Sequence, residues 1–254
     1  DSSSYIKSNF PLSSSGFEQE SGKCVSINGS VIVGTSESLV SDIPVRRAFR
    51  WTSSGMSSLG TLGVGESSAA LAVSSDGLTV VGASGNFQTH LTRAFRWTSG
   101  NGMVSLGKLN GTDSSAAFFT SNNGAVVVGT CTGFNGPNEV RKAFRWKDGV
   151  MASLGSLPGG AQDLYWPVAI NDDGSVVVGL SENTDAQGVT TRRAFRWTTV
   201  GGMSELPAEI TYLHGLSLSG NGAIVVGSRI DGEVGRVACL WSSALGLVDL
   251  SRSE

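Results

Sequence analysis

The chain repeats itself, and this repetition limits its fold more than any other feature of the sequence. The phrase Arg-Ala-Phe-Arg-Trp begins at Arg47 and recurs with small changes further along. A second phrase runs in step with it and consists of an alternating segment, a turn glycine and a short run of valines. The turn glycines lie 48, 47, 50 and 48 residues apart, at Gly29, Gly77, Gly124, Gly174 and Gly222. Such a period indicates an array of similar structural units.

Each unit of roughly 48 residues reads as four strands. The alternating segment ends in Ser-x-Asp/Asn-Gly, whose residues tolerate a positive φ and close a tight hairpin to the valine strand. Arg-Ala-Phe-Arg-Trp forms the third strand, and the segment around Gly-Met forms the fourth. Four antiparallel strands in a unit of this length are typical of a β-propeller blade. The sequence therefore predicts an all-β fold, a β-propeller with five blades of four antiparallel strands, and six blades are the alternative.

The predicted propeller covers residues 19–254. Its five units span approximately residues 19–60, 61–107, 108–155, 156–206 and 207–250. Residues 1–18 form an N-terminal extension outside the complete units. Their segment Tyr-Ile-Lys-Ser-Asn-Phe, at 5–10, could add an outer strand to the last blade and latch the ring. This latch is a hypothesis, because the fifth unit already has a segment for its own fourth strand.

The repeated phrase itself is explained by packing. Alternate residues of a strand share a face, so Phe49 and Trp51 point one way while Ala48 and Arg50 point the other. A buried aromatic ring removes about 150–250 Å² from water, which at about 25 cal/mol per Å² is worth roughly 4–6 kcal/mol as an upper bound. The arginine before each tryptophan can cover apolar surface with its stem and bind carbonyls or a carboxylate with its head. The phrase is therefore interpreted as structural rather than as a ligand site.

Composition narrows the possible functions. The net charge of −3 and the pI of about 5.5 argue against nucleic acid as a partner. No apolar run approaches the roughly 18 residues of a membrane span, so no membrane insertion by this segment is expected. Cys24, Cys131 and Cys239 have unrelated spacings and are interpreted as small buried residues. Because they form no ligand pattern with His90 or His214, no metal and no cofactor are expected.

The recurring Ala-Phe-Arg-Trp-Thr, Gly-Met, Leu-Gly, Ser-x-Asp-Gly and Val-Val-Gly pattern resembles the HAF-type extracellular repeats of bacterial surface and secreted proteins. Related units there begin His-Ala-Phe, whereas the units here begin Arg-Ala-Phe. The match covers nearly the whole chain, but the fifth unit departs from it at Cys239 and Leu240. The resemblance implies a propeller that is secreted or displayed on a bacterial cell surface, as in some autotransporter passengers. It implies no catalytic residue.

The loops between strands two and three, and the connections between units, vary in length and residue type. Both sets leave an up-and-down blade at the same end, and variable loops on a rigid scaffold are where binding usually occurs. At the entry to their first strands, units four and five carry aromatic or imidazole side chains where units two and three have Ser or Ala. These candidate binding residues are Tyr165, Trp166, Tyr212 and His214, with Phe87 and Phe134 as weaker ones. They could form a platform for a sugar or peptide, plug the central channel, or pack under a long loop.

An acidic residue recurs eleven positions before the turn glycine in four of the units. The column consists of Glu18, Glu66, Asp113 and Asp163, with Thr211 in the fifth unit. One hypothesis is a ring of carboxylates for a cation or for glycoside hydrolysis. The alternative pairs each acid with the basic residue that opens strand three, namely Arg47, Arg93, Lys142 or Arg193. Four acids in register with four bases favour ion pairs at the surface, which are individually weak.

Three classes of function follow from these observations. The leading interpretation is a binding or adhesion module, with a virulence-associated passenger domain as one option, that offers its loop face to a protein or glycan ligand outside the cell. The alternatives are a glycosidase-like enzyme that uses carboxylates in the channel, or a structural spacer without a ligand. The sequence has no nucleophile elbow, zinc-binding His pair or phosphate-binding loop, and this favours a binding module over an enzyme.

Overall fold

The chain forms five four-stranded antiparallel sheets, one in each repeat unit. The computed structural model describes residues 19–40, 43–63, 66–160, 164–185, 187–210, 216–231 and 235–250. In each sheet the strands lie in the order in which the chain makes them, as in an up-and-down blade. The prediction of an all-β propeller with five blades of four antiparallel strands is therefore confirmed.

The strands have the following bounds. Blade one contains β1 (Gln19–Val25), β2 (Ile32–Val40), β3 (Ile43–Thr52) and β4 (Gly55–Ser58). Blade two contains β5 (Ser67–Val73), β6 (Thr79–Asn86), β7 (Leu91–Thr98) and β8 (Gly102–Gly107). Blade three contains β9 (Ser114–Thr120), β10 (Val126–Asn135), β11 (Asn138–Lys147) and β12 (Val150–Ser153). Blade four contains β13 (Leu164–Ile170), β14 (Val176–Thr184), β15 (Thr190–Thr198) and β16 (Gly202–Glu205). Blade five contains β17 (Ser217–Leu218), β18 (Val225–Asp231), β19 (Gly235–Ser242) and β20 (Gly246–Asp249).

The Ser-x-Asp/Asn-Gly phrase forms the hairpin between the first two strands of each blade. In blade three, the Ser121 hydroxyl accepts a hydrogen bond from the Val126 amide at 2.9 Å, and Asn123 accepts one from the Ala125 amide at 3.1 Å. Gly124 closes the turn with a φ of 68°, a left-handed conformation that favours glycine. The other four blades have the equivalent bond to the second residue after the turn glycine, with the Asn171 side-chain oxygen in place of the serine hydroxyl in blade four. We call the end of the propeller that carries these turns the turn end.

The core consists of the junctions between successive blades. Each blade has an outgoing face, which packs on the next blade, and an incoming face, which packs on the preceding one. At the junction of blades two and three, Val81 and Ala94 of the outgoing face contact Phe144 and Trp146 of the incoming face. Equivalent clusters join blades one and two, three and four, and four and five. The small residue therefore lies beneath the aromatic ring of the next blade, as the alternation of the repeated phrase predicts.

The glycine of each Val-Val-Gly run makes room for that aromatic ring and for the first strand. Gly179 pairs with Phe195 across the sheet. A Cβ at Gly179 would lie 2.5 Å from the Phe195 ring and 2.1 Å from the Trp166 carbonyl oxygen. A Cβ at Gly129 would lie 2.0 Å from the Ala116 carbonyl oxygen. The glycine is therefore required by the close approach of backbone and ring.

The arginine before the tryptophan ties each blade to the next. Arg96 Nε donates to the carbonyl of the turn glycine Gly124 at 2.9 Å, and Arg145 Nε donates to Gly174 at 2.9 Å. Arg50 and Arg196 make the same contact with the turn glycines that follow them. These guanidinium groups bind backbone carbonyls between blades, so their recurrence has a structural cause.

The three cysteines are all free thiols. Cys131 and Cys239 are buried, and Cys24 is half-buried. Burial raises the pKa of the Cys131 and Cys239 thiols, because the charged thiolate is poorly solvated there. Cys239 occupies the position of the aromatic ring in the last blade and packs against Ala194. The cysteines behave as small buried residues, with Cys24 the least enclosed.

The predicted latch at residues 5–10 lies outside the described residues. Blade five has its own fourth strand, β20, which pairs with β19. Within the described part of the chain, no helix is long and apolar enough to cross a membrane.

Candidate functional site

One end of the propeller carries the variable segments, and we call it the loop end. The hairpins between the second and third strands and the connections between blades meet there. The Arg47 guanidinium, at the base of one hairpin, donates to the Glu66 carbonyl in the following connection at 2.8 Å. The Asp113 amide donates to the Thr132 carbonyl at 2.7 Å, joining a connection to the β10–β11 hairpin. The prediction that both sets of loops share one end agrees with these contacts.

A cavity of about 360 Å³ opens between the innermost strands of blades two, three and four. The first strand of each blade is the innermost, because first strands of successive blades contact one another. Three inner strands supply the floor of the cavity. Hydroxyl groups of the second and third strands border it, and the β6–β7 loop forms part of its rim. The floor consists of Ala69, Leu71, Ala116, Phe118 and Trp166.

Trp166 is the largest side chain in this cavity and is half-buried. The guanidinium carbon of Arg141 lies 4.5 Å from the centre of its ring, within cation–π distance. Arg141 also donates to a Glu139 carboxylate oxygen at 2.5 Å, while its Nε is buried without a hydrogen-bond partner. An aromatic plane and a cation therefore meet at one wall of the cavity.

The opposite rim comes from the β6–β7 loop of blade two. Phe87 is half-buried there and His90 is exposed, and both line the cavity. His90 has a φ of 57°, which is unusual for a residue with a side chain. The Ser114 and Thr132 hydroxyls lie 2.6 Å apart on the same lining. The cavity thus combines flat apolar surfaces with hydroxyls, an imidazole and a guanidinium.

Tyr165 has a structural position. It is 3% exposed and packs edge-on against Phe195, with ring centres 6.0 Å apart. Its hydroxyl accepts a hydrogen bond from the Leu157 amide and donates to the Gly160 carbonyl, both at 2.8 Å. We therefore leave Tyr165 out of the candidate site.

The residues equivalent to Tyr165 in other blades explain this role. Ser68 and Ser115 occupy the same position in β5 and β9, and each hydroxyl joins the preceding connection to the preceding blade. The Ser115 hydroxyl accepts from the Ala94 amide at 2.9 Å and donates to the Gly107 carbonyl at 2.6 Å. The tyrosine hydroxyl instead joins two backbone groups within the preceding connection, Leu157 and Gly160, and so holds this longer connection in place.

The other predicted binding residues have different outcomes. Trp166 and Phe87 come together in the cavity. Phe134 is 70% exposed on the β10–β11 hairpin and is not part of the cavity lining. Tyr212 and His214 lie outside the described residues.

The acidic column does not form ion pairs at the two complete positions. Arg47 and Arg93 instead reach the acidic residue of the following unit, Glu66 and Asp113, and each donates to the main-chain carbonyl rather than to the carboxylate. Glu18, Asp163 and Thr211 lie outside the described residues. In the described part of the chain, no group of three or more His, Cys, Asp or Glu side chains could hold a metal ion.

Sequence reasoning did not identify Arg141 and Phe118 as residues of the site. Arg141 lies next to Lys142, the basic residue that opens strand three of its unit, and no feature of the sequence distinguishes it from that residue. Phe118 lies two residues after Ala116 on β9 and so faces the cavity with it. An alignment of the first strands of units two and three places Leu71 and Phe118 at equivalent positions, and this alignment would have identified Phe118 as a residue of the site.

Comparisons with known proteins support the fold. No family model matches the chain, and no curated protein matches it. Among solved structures, the chain is similar to TolB from Acinetobacter baumannii, with 14% identity, 93% of this chain and 56% of that chain covered, and a TM-score of 0.52. The β-propeller domain of the trilobed protease from Pyrococcus furiosus gives 8% identity, 92% and 69% coverage, and a TM-score of 0.57. Prolyl oligopeptidase B from Galerina marginata gives 9% identity, 89% and 33% coverage, and a TM-score of 0.60. The chain thus spans just over half the length of this TolB and a third of the oligopeptidase, and the likeness establishes a β-propeller fold.

Proposed function

We propose that this propeller is a binding module that accepts a glycan in the cavity at its loop end. The single observation that supports this most is the convergence of Trp166, Arg141 and Phe87 on one cavity between the inner strands. Aromatic faces stack on the apolar faces of sugar rings, and flanking hydroxyl and guanidinium groups can bind sugar hydroxyls or an acidic substituent. A volume of about 360 Å³ is within the usual range for small-ligand sites.

The chemistry of the lining favours an acidic ligand. The repeated arginines are occupied by backbone carbonyls between blades, so they are not part of the site. The Glu139 carboxylate pairs with Arg141, and a ligand carboxylate could take its place on the guanidinium. An acidic sugar therefore fits the cavity better than a neutral one.

The proposed setting is outside a bacterial cell, either secreted or at the cell surface. The resemblance of the repeated units to HAF-type extracellular repeats supports this location. The variable loops at the loop end also offer a surface that could adhere to a partner outside the cell. Protease accessibility of the protein on intact producing cells, compared with its accessibility in lysed cells, tests the location. Protection on intact cells together with absence from the medium would contradict it.

A glycan array tests the binding function, followed by titration of the best ligand by calorimetry. We expect Trp166→Ala to weaken the affinity by at least about tenfold, because an aromatic anchor at the centre of a site carries much of the binding energy. Phe134→Ala is the matched control, since it removes an exposed ring from the same end without altering the cavity. Equal loss in both variants, or binding to a protein but to no glycan, would contradict the proposal.

A further inference from the structure

A second cavity, of about 400 Å³, lies beside the cavity of Trp166 at the loop end. The third strand of blade three, β11, forms one side of it, and the connections that precede and follow this blade form the others. We call it the basic cavity, and we call the cavity with Trp166 on its floor the central cavity. The polar lining of the basic cavity includes Asn110, Glu139, Arg141, Lys142, Ser153 and Ser156.

Arg141 is a wall of both cavities. On the central side, its guanidinium carbon lies 4.5 Å from the centre of the Trp166 ring. On the other side, its Nη2 donates at 2.5 Å to the carboxylate of Glu139, which lines the basic cavity. The two cavities are therefore neighbours that share one side chain. A ligand in the central cavity that extends past Arg141 enters the basic cavity.

Lys142 gives the basic cavity a positive charge. Lys142 is half-buried, and its ammonium nitrogen lies 3.4 Å from the Asn110 carbonyl oxygen, which is a long contact. Among the described lining residues the only carboxylate is that of Glu139, and it pairs with Arg141. Within the described ranges, no carboxylate forms an ion pair with Lys142. A partly buried ammonium group attracts an anion more strongly than one in bulk water does.

A third cavity, of about 540 Å³, adjoins the central cavity on its opposite rim, where Phe87 is a wall of both. We call it the acidic cavity, because Glu37 and Glu66 line it and Arg46 is the only basic residue of its described lining. Arg46 pairs with Glu37 at 2.6 Å. The Glu66 carboxylate accepts a hydrogen bond from the Ser84 hydroxyl at 3.4 Å, and no described cation pairs with it. The acidic cavity therefore disfavours an anion, whereas the basic cavity attracts one.

We propose that the basic cavity is a second subsite of the glycan site, and that the ligand is an acidic oligosaccharide of at least two residues. This inference rests on the proposed function of the central cavity. One sugar residue stacks on Trp166 and places its carboxylate on Arg141. The next residue lies in the basic cavity and places its carboxylate on Lys142. The sugar chain thus extends from the central cavity into the basic cavity and away from the acidic one.

The contacts of the two cations explain why the second acidic residue matters. The first ligand carboxylate displaces Glu139 from Arg141, which exchanges one charged hydrogen bond for another and gains little. The second replaces the long contact between Lys142 and a neutral carbonyl with a charge-assisted hydrogen bond, which is roughly twice as strong as a neutral one. The gain in affinity therefore comes with the second residue and requires its charge.

The test compares chains of one to four uronic acid residues with neutral sugar chains of the same lengths. The acidic series are built from glucuronic, galacturonic or mannuronic acid, and calorimetry at low salt measures each dissociation constant. In at least one acidic series, we expect the dimer to bind about tenfold more tightly than the monomer, as one hydrogen bond to a charged group gives. Longer chains should add little, because both cations are then occupied. High salt should reduce the gain, because it screens the charges.

Lys142→Gln removes the charge and keeps most of the length of the side chain. It should lower the ratio of dimer to monomer affinity from about ten to about one. Arg46→Gln is the matched control, because it removes one positive charge from the acidic cavity on the opposite rim. It should leave the ratio at about ten. Thermal unfolding of both variants shows whether the fold is intact.

The possible results separate this inference from the proposed function. A ratio near one in the unsubstituted protein, with monomer binding that Trp166→Ala weakens, overturns the second subsite and leaves the proposed function in place. An equal gain with neutral chains, or a ratio that falls equally in both variants, also overturns only the second subsite. Absence of binding to every glycan, or binding of tetraglutamate as tightly as the uronic acid dimer, overturns both.

Discussion

The turn end and the loop end of this propeller differ in how closely the residues and contacts of one blade match those of the preceding blade. At the turn end, five turns share an equivalent side-chain hydrogen bond, and four arginines bind the following turn glycine. At the loop end, equivalent positions carry Ala69, Ala116 and Trp166 on the inner strands. The repeated residues are accounted for by contacts between and within blades. Information about a ligand therefore lies in the residues that do not repeat.

The strongest test of this difference is at the glycine of the Val-Val-Gly run. Gly129→Ala should cost more than about 4 kcal/mol or prevent folding, because its Cβ would lie 2.0 Å from the Ala116 carbonyl oxygen. Gly100→Ala is the control, since Gly100 has no atom within 4 Å of the added Cβ and no left-handed φ. Urea unfolding monitored by tryptophan fluorescence measures both. Similar midpoints for the two variants would show that the repeated glycine is not required by packing.

The next largest effect is expected at the aromatic residue of a junction. Phe144→Ala should lower the free energy of unfolding by about 3–5 kcal/mol, because it leaves a cavity between blades two and three. Phe134→Ala, at the loop end, should change it by less than about 0.5 kcal/mol because that ring is exposed. Chemical denaturation of both variants gives the comparison. A large effect at Phe134 would mean that the loop-end aromatic residues also stabilise the fold.

A smaller effect is expected at the arginine between blades. Arg96→Leu should cost about 1–3 kcal/mol, because the Gly124 carbonyl loses its charged donor. Arg46→Leu is a matched control at the loop end, where the Arg46–Glu37 pair is largely exposed and worth at most about 1 kcal/mol. Thermal unfolding in high and low salt distinguishes them, since only the exposed pair should be screened. Equal costs would contradict a special role for the turn-end arginines.

Most of the fold could be predicted from the sequence because the same pattern of four strands occurs in five successive units. The period gave the blade count, and the alternation in Arg-Ala-Phe-Arg-Trp gave the two faces of each blade. The candidate site was harder, because its residues meet from three blades and share no phrase. Tyr165 and Trp166 are adjacent and both aromatic, yet one bridges backbone groups in the core and the other faces the cavity. Strand alternation shows that two such neighbours lie on opposite faces of the strand. It does not show which face packs in the core and which faces the cavity.

Arg47 and Arg93 illustrate a second limit of sequence reasoning. Register paired each with the acidic residue of its own unit, Glu18 or Glu66, whereas each reaches the acidic residue of the next unit, Glu66 or Asp113. The contact is nevertheless made with the main-chain carbonyl, which every residue type carries. The identity of the side chain was therefore irrelevant to the bond. Recurring opposite charges predict proximity more reliably than they predict an ion pair.

The smallest effect, without a change in stability, is expected from the thiols. Iodoacetamide at pH 8 should modify Cys24 in the native protein and leave Cys131 and Cys239 unmodified until the protein is unfolded, because burial restricts access and raises the pKa of both thiols. Because burial raises the pKa of the Cys131 and Cys239 thiols, their labelling in the native protein should stay slow on the alkaline side as well. Peptide mass spectrometry measures each site, and guanidinium-unfolded protein is the control in which all three react. Because Cys239 takes the aromatic position in blade five, its labelling rate also reports on that blade. Native labelling of Cys239 as fast as Cys24 would show that blade five opens readily, and that the regular junctions end at blade four.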